Sequence, residues 1–165
     1  MKKNQGFSLV ELIVVIAIMA VLVGVLAPAY LRYVEKSRKS TDVSSISDIL
    51  AAAEKVAIDP EFDLAAGVQF SLSGAGTGLA MNVTGGGSAA TSATGNAAAL
   101  AEWKAIAGDG YVCKSKEFKA ANHTFTGTLQ ANGSVTWAIN SALTTFSPEF
   151  ASKWTSGTTT AASGS

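Results

Sequence analysis

The chain has 165 residues, with 12 basic and 12 acidic side chains. The length suits one modest domain with an appendage, and the balance excludes a polycation built for nucleic acid. One cysteine, Cys113, excludes an internal disulfide, and one histidine, His123, excludes a His-rich metal site.

Mean hydropathy is +0.30 and only 15% of residues are charged, with the apolar excess gathered near the N-terminus. A short head, MKKNQG, carries Lys2 and Lys3. From Leu12 to Leu31 no residue is charged. As a helix this run spans about 30 Å, the thickness of a bilayer core. Arg32, Lys36, Arg38 and Lys39 follow it. A secretory signal peptide shares the basic start, and Ala27-Pro28-Ala29 partly fits its cleavage site. The run exceeds the usual apolar length of such peptides, and Glu11 stands where they are usually uncharged. A plain membrane anchor accounts for the run and leaves Glu11 unexplained.

Glu11 lies among Phe7, Leu9, Val10 and Leu12. A carboxylate at a bilayer centre costs about 2.5–3.5 kcal/mol, less near the interface. The run holds no cation, so the partner comes from another molecule or from a chain terminus.

The segment Gly6-Phe7-Ser8-Leu9-Val10-Glu11-Leu12, after a basic head and before a long apolar helix, resembles the prepilin signature of type IV pilins and related pseudopilins. Pro28, Tyr30 and Tyr33 extend the resemblance, which covers about residues 1–58. It implies a leader, residues 1–6, cut between Gly6 and Phe7 by a membrane-embedded prepilin peptidase. The new amino group of Phe7 would be N-methylated by the same kind of enzyme. Glu11 would face that cationic nitrogen in its own or a neighbouring subunit and set the depth at which subunits assemble. Gly24 and Pro28 would be the points where the helix loosens when a fibre stretches. The cleavage motif fits only an N-inside topology, although the cations after the run outnumber Lys2, Lys3 and the amino terminus and favour the reverse.

After Arg32 the chain becomes amphipathic. Val43, Ile46, Ile49, Leu50, Ala53, Val56 and Ala57 form one apolar stripe, with Lys36, Lys39, Asp42, Asp48 and Glu54 placed among them. Asp59-Pro60 stops the helix, which is expected to run from about Ser8 to Ile58. Residues 7–31 then form the transmembrane or filament-core part and residues 32–58 the part that packs a head domain.

The head is expected to be α+β, a small antiparallel sheet laid on the long helix. Residues 59–109 read as a variable region containing a short helix. Val68 to Leu72 alternate as a strand, and Ser73 to Ala99 are mostly small and polar, too poor in large apolar groups to build much core. The glycines there lack the lysine and spacing of a phosphate-binding loop. Asn96 to Ala107 form a helix with Leu100, Trp103 and Ile106 on one side, ended by Gly108. Residues 110–155 supply the sheet and a C-terminal turn. Asn132-Gly133 joins alternating segments 124–131 and 134–139 as a hairpin. A third strand is expected across Gly110 to Phe118. Ser147-Pro148-Glu149 reads as a helix start with Phe150 and Trp154 packing back, and residues 156–165 as a flexible tail.

No catalytic constellation, metal site or cofactor motif emerges. His123 is expected at a strand end in solvent and Cys113 buried and inert. Asn82, Asn122 and Asn132 head N-x-[ST] sequons of low specificity. Many pilins close a C-terminal loop with a disulfide; a single cysteine departs from that and fits pilins of Gram-positive bacteria or pseudopilins. After Glu117 the only acid is Glu149, few carboxylates for the calcium site of a major secretion pseudopilin.

The expectation is a non-enzymatic structural subunit, held in the cytoplasmic membrane before assembly and in a surface filament afterwards. Its implied partners are other copies of itself, the prepilin peptidase and methyltransferase, an assembly platform and a motor ATPase. The filament would touch host surfaces or DNA in adhesion, motility, aggregation or DNA uptake. The alternatives are a pseudopilin of a type II secretion or competence system, and a secreted binding domain behind a signal peptide.

Overall fold

In the computed structural model the described residues are 8–74, 78–85, 92–120 and 122–139. The expected leader, Gly6 and Phe7, the helix start at Ser147-Pro148-Glu149 with Phe150 and Trp154, and the tail lie outside them. Two compact units divide between Ser37 and Arg38, and each is taken by itself.

The first unit holds the start of helix α1 (Leu9–Ala57). Leu9 through Leu26 expose every large apolar side chain to half or so of its surface or more, and none of the most apolar window is buried. Within Leu9 to Leu26 the apolar side chains face every side of the helix. By length and composition it can cross a membrane.

In the second unit, the remainder of α1 turns one stripe inward. Ile46, Ile49, Leu50, Ala53, Val56 and Ala57 are buried, as their spacing predicts, with Ala52 beside them. The helix ends before Asp59, whose Oδ1 accepts the Glu61 N–H at 2.9 Å and caps a 3-10 turn at Pro60–Phe62. The Asp-Pro stop therefore falls where expected.

Strands β1 (Val68–Gly74), β2 (Ala80–Gly85), β3 (His123–Leu129) and β4 (Val135–Ile139) form one antiparallel sheet in the order β2-β1-β3-β4. Val68, Phe70, Leu72, Phe125, Leu129, Val135 and Trp137 point into the core at every second position. Helix α2 (Ser92–Ala107) packs beside β2. Its Trp103 is fully buried, donates its indole N–H to the Ile49 carbonyl at 2.8 Å, and meets Phe70 edge-on with ring centroids 5.7 Å apart. The α+β architecture is the one the pattern implied.

Four expectations need correction. The small-residue stretch 73–99 contains strand β2 and the start of α2. Leu79, Met81 and Val83 are buried at period two, enough apolar area to seat a strand against β1. The segment 110–118 does not supply a third strand. It makes one bridge, Tyr111 to Leu79, and then turns into the short helix α3 (Lys116–Lys119). Gly110, at φ +93°, lets the chain pass so close to the Leu79 carbonyl that a Cβ would sit 2.6 Å from its oxygen. Ile106 is half exposed, while Ala99 and Trp103 form the inner face of α2.

The hairpin is present, but its loop has three residues. Gly133 N–H donates to the Gln130 carbonyl at 3.0 Å and Gln130 N–H to the Ser134 carbonyl at 2.8 Å. Only Gly133 takes a positive φ, +80°, and Asn132 does not. This is a turn closed by a glycine bulge rather than a two-residue Asn-Gly loop.

Candidate functional site: the N-terminal helix and its anchor

Glu11 lies in the first turn of α1 and is exposed. Its carboxylate accepts the Ser8 backbone N–H at 3.0 Å. Ser8-Leu9-Val10-Glu11 has the spacing of a capping box, in which the fourth residue reaches back to the N-terminal cap. The sequence reading missed this signal. The bond satisfies one orphan N–H, places negative charge at the positive end of the helix dipole, and folds the carboxylate back toward the start of the chain. Phe7, its expected partner, lies outside the described residues, as does Gly6.

Helix α1 continues without a break through Gly24 and Pro28. Nothing lies within 4 Å of where a Gly24 Cβ would be. Tyr30 and Tyr33 are 66% and 72% exposed, and Arg32 and Lys36 are exposed with them at the end of the apolar run.

Asp42, one of the charges among the apolar stripe of α1, anchors the segment that follows α2. It is fully buried. One carboxylate oxygen accepts the Tyr111 hydroxyl at 2.7 Å and the Lys114 N–H at 2.9 Å; the other accepts the Ser115 N–H at 2.7 Å. Those amides are the donors a strand across 110–118 would have used. Ser115 then caps α3 by accepting the Phe118 N–H at 3.2 Å, so the segment closes into a helical turn. Lys39 fastens the same region by an ion pair to Glu117 at 2.7 Å. Burial pushes the Tyr111 hydroxyl up to about 12, with the Asp42 carboxylate adding to the rise. Burial, then Asp42, raises the Cys113 thiol to about 11, so the thiol stays protonated and unreactive at neutral pH.

His123 is also corrected. It is buried rather than solvated. Its Nε2–H donates to the Phe118 carbonyl at 2.7 Å, and its ring meets that of Phe118 at 5.1 Å. Burial lowers its pKa, opposed by that hydrogen bond. No group of three or more His, Cys, Asp or Glu that could hold a metal ion occurs among the described residues.

Residues 1–27 match the family described as the prokaryotic N-terminal methylation motif. A fimbrial protein of Pseudomonas aeruginosa is 34% identical over 59 residues, 36% of this chain and 38% of that protein. Fimbrial protein Q of Moraxella bovis is 39% identical over 59 residues, 36% of this chain and 34% of that protein. The chain thus spans little more than a third of the length of the curated relatives it matches. No solved structure matches it. The likeness is thus confined to the N-terminal third, where a type IV prepilin motif heads a long apolar helix and the chain is similar to fimbrial proteins.

Proposed function

We propose that the protein is a structural subunit of a type IV pilus. A prepilin peptidase removes residues 1–6, and Phe7 becomes the N-methylated first residue. The subunit waits in the cytoplasmic membrane with its N-terminus inside, then enters a helical surface filament with its apolar helix in the core. The observation that carries this reading is the apolar start of α1, exposed on every side and lying within the matched residues 1–27. Such a surface needs either lipid or other copies of the same helix around it. No step calls for catalysis by this chain; the peptidase, an assembly platform and a motor ATPase are separate partners.

Glu11 sets the register. Beside lipid or packed helices, a carboxylate and an ammonium each relieve the other's desolvation, and either one left alone is strongly unfavourable. A subunit slid to the depth where Glu11 meets a Phe7 nitrogen satisfies both charges; one turn away, both are stranded. The Ser8 N–H bond supports this by holding the carboxylate within the first turn, one residue from Phe7. Gly24 and Pro28 are the proposed points of helix loosening under tension. Nothing lies within 4 Å of where a Gly24 Cβ would be.

The test is electron microscopy of cells producing the wild-type chain or Glu11→Ala. The proposal expects long surface fibres from the first and loss of most subunit incorporation in the second. Unchanged fibres in Glu11→Ala refute the register role. A pseudopilin would give no long surface fibres at native levels.

A further inference from the structure

We propose that Arg32 and Lys36, with Tyr33 between them in the sequence, bind the phosphodiester of an anionic phospholipid where α1 leaves the membrane. The inference rests on the membrane-spanning reading of α1 and goes beyond it by naming a lipid class and the residues that select it. The uncharged run Leu12 to Leu31 fills about 30 Å of hydrocarbon as helix. Arg32 is the next residue, and Lys36 follows one turn later, about 6 Å further along the axis. Both therefore lie at headgroup depth. Tyr30 and Tyr33, largely exposed, mark the same level, since tyrosine concentrates at membrane interfaces.

The two cations share a face, roughly 40° apart around the helix. Like charges four residues apart repel on an isolated helix. Lys36 has no acid to offset this at its helical neighbours, which are Arg32, Tyr33, Lys39 and Ser40. Among the described residues neither Arg32 nor Lys36 makes an ion pair. Glu35 stands about 60° from Arg32 and 100° from Lys36 and pairs with neither among the described residues. A phosphodiester seated between the guanidinium and the ammonium turns that repulsion into two attractions. Arg32 supplies a planar pair of donors and Lys36 a point charge, both matched to phosphate oxygens. The cations that run against the positive-inside count thereby gain a role on whichever side of the membrane they lie.

The experiment reconstitutes the full chain in phosphatidylcholine bilayers and follows spin-labelled phosphatidylglycerol and spin-labelled phosphatidylcholine in turn. It reads the fraction of each lipid immobilised at the protein. A cation near the surface favours an anionic lipid by roughly fivefold. The proposal therefore expects a clear phosphatidylglycerol preference of roughly that size or more. It should fall to near unity in Arg32→Gln/Lys36→Gln and shrink in about 0.5 M salt, and remain in Lys55→Gln on the exposed side of the head. Immobilised phosphatidylcholine with no preference for phosphatidylglycerol, or a preference that survives in the double variant, overturns the lipid site while leaving the spanning helix intact. Failure to immobilise either lipid overturns the spanning reading itself. Normal lipid preference in the double variant with loss of fibres would instead assign these cations to a neighbouring subunit.

Discussion

Replacing Asp42 with alanine tests the anchor that joins the 110–120 segment to α1. The substitution removes the acceptor for the Tyr111 hydroxyl and for the Lys114 and Ser115 amides. Hydrogen bonds to a charged group contribute about 1.5–3 kcal/mol each. Full additivity overstates the loss, because the bonds share one carboxylate and two of them are only partly buried, so water can replace them. The Ser115 bond is buried, and its stranded N–H carries the full desolvation penalty. The expected loss is about 3–5 kcal/mol, a large share of the stability of a small domain. Asp42→Asn keeps one acceptor oxygen and should lose about half as much. Urea unfolding of the full chain in detergent, followed through tryptophan fluorescence, measures this, with the fully buried Trp103 as a reporter inside the core. A loss under about 1 kcal/mol for Asp42→Ala would mean that the carboxylate only decorates an interface held by other contacts, and would refute the reasoning.

The Cys113 thiol, buried and raised to about 11, should react with a thiol reagent at neutral pH only on unfolding, and much faster in Asp42→Ala; rapid labelling of the folded wild type contradicts its burial. His123 has a folded pKa below its unfolded value, so the unfolded chain binds more protons as pH falls through about 6.5. Its contribution to stability is complete above that pH and declines below it. His123→Phe should therefore show a flatter loss of melting temperature between pH 7.5 and 5.5 than the wild type; an identical pH slope would show that the imidazole is not buried neutral.

Much of the molecule was legible because its signals are local. The extent of α1 follows from an uninterrupted apolar run, one stripe at helical spacing and an Asp-Pro stop, all within reach of one another along the chain. The hairpin strands follow from alternation around Asn132-Gly133. The exact loop was not legible, because both loop types use the same Asn-Gly pair and differ only in whether Asn132 takes a positive φ. Strand β2 was hidden because Ala80, Asn82 and Thr84 dilute Leu79, Met81 and Val83 within a glycine-rich stretch. The fate of 110–118 depended on Asp42, some seventy residues away. One acid among several charges on an amphipathic helix carries no mark of burial until its distant donors are known. His123 was misplaced for the same reason: its partner, the Phe118 carbonyl, exists only because α3 forms. At the candidate site, Glu11 stood out by its cost among apolar neighbours, while its bond to Ser8 was readable as S-x-x-E and was overlooked.

The central claim is that this chain is cut and methylated before it polymerises. Mass spectrometry of the N-terminal peptide, taken from the protein isolated from its own cells, tests that directly. The account predicts a chain that starts at N-methyl-Phe7 with Glu11 as its fifth residue. A mature chain that keeps Met1 to Gly6, or begins at Tyr30 after a signal-peptide cut, would contradict it.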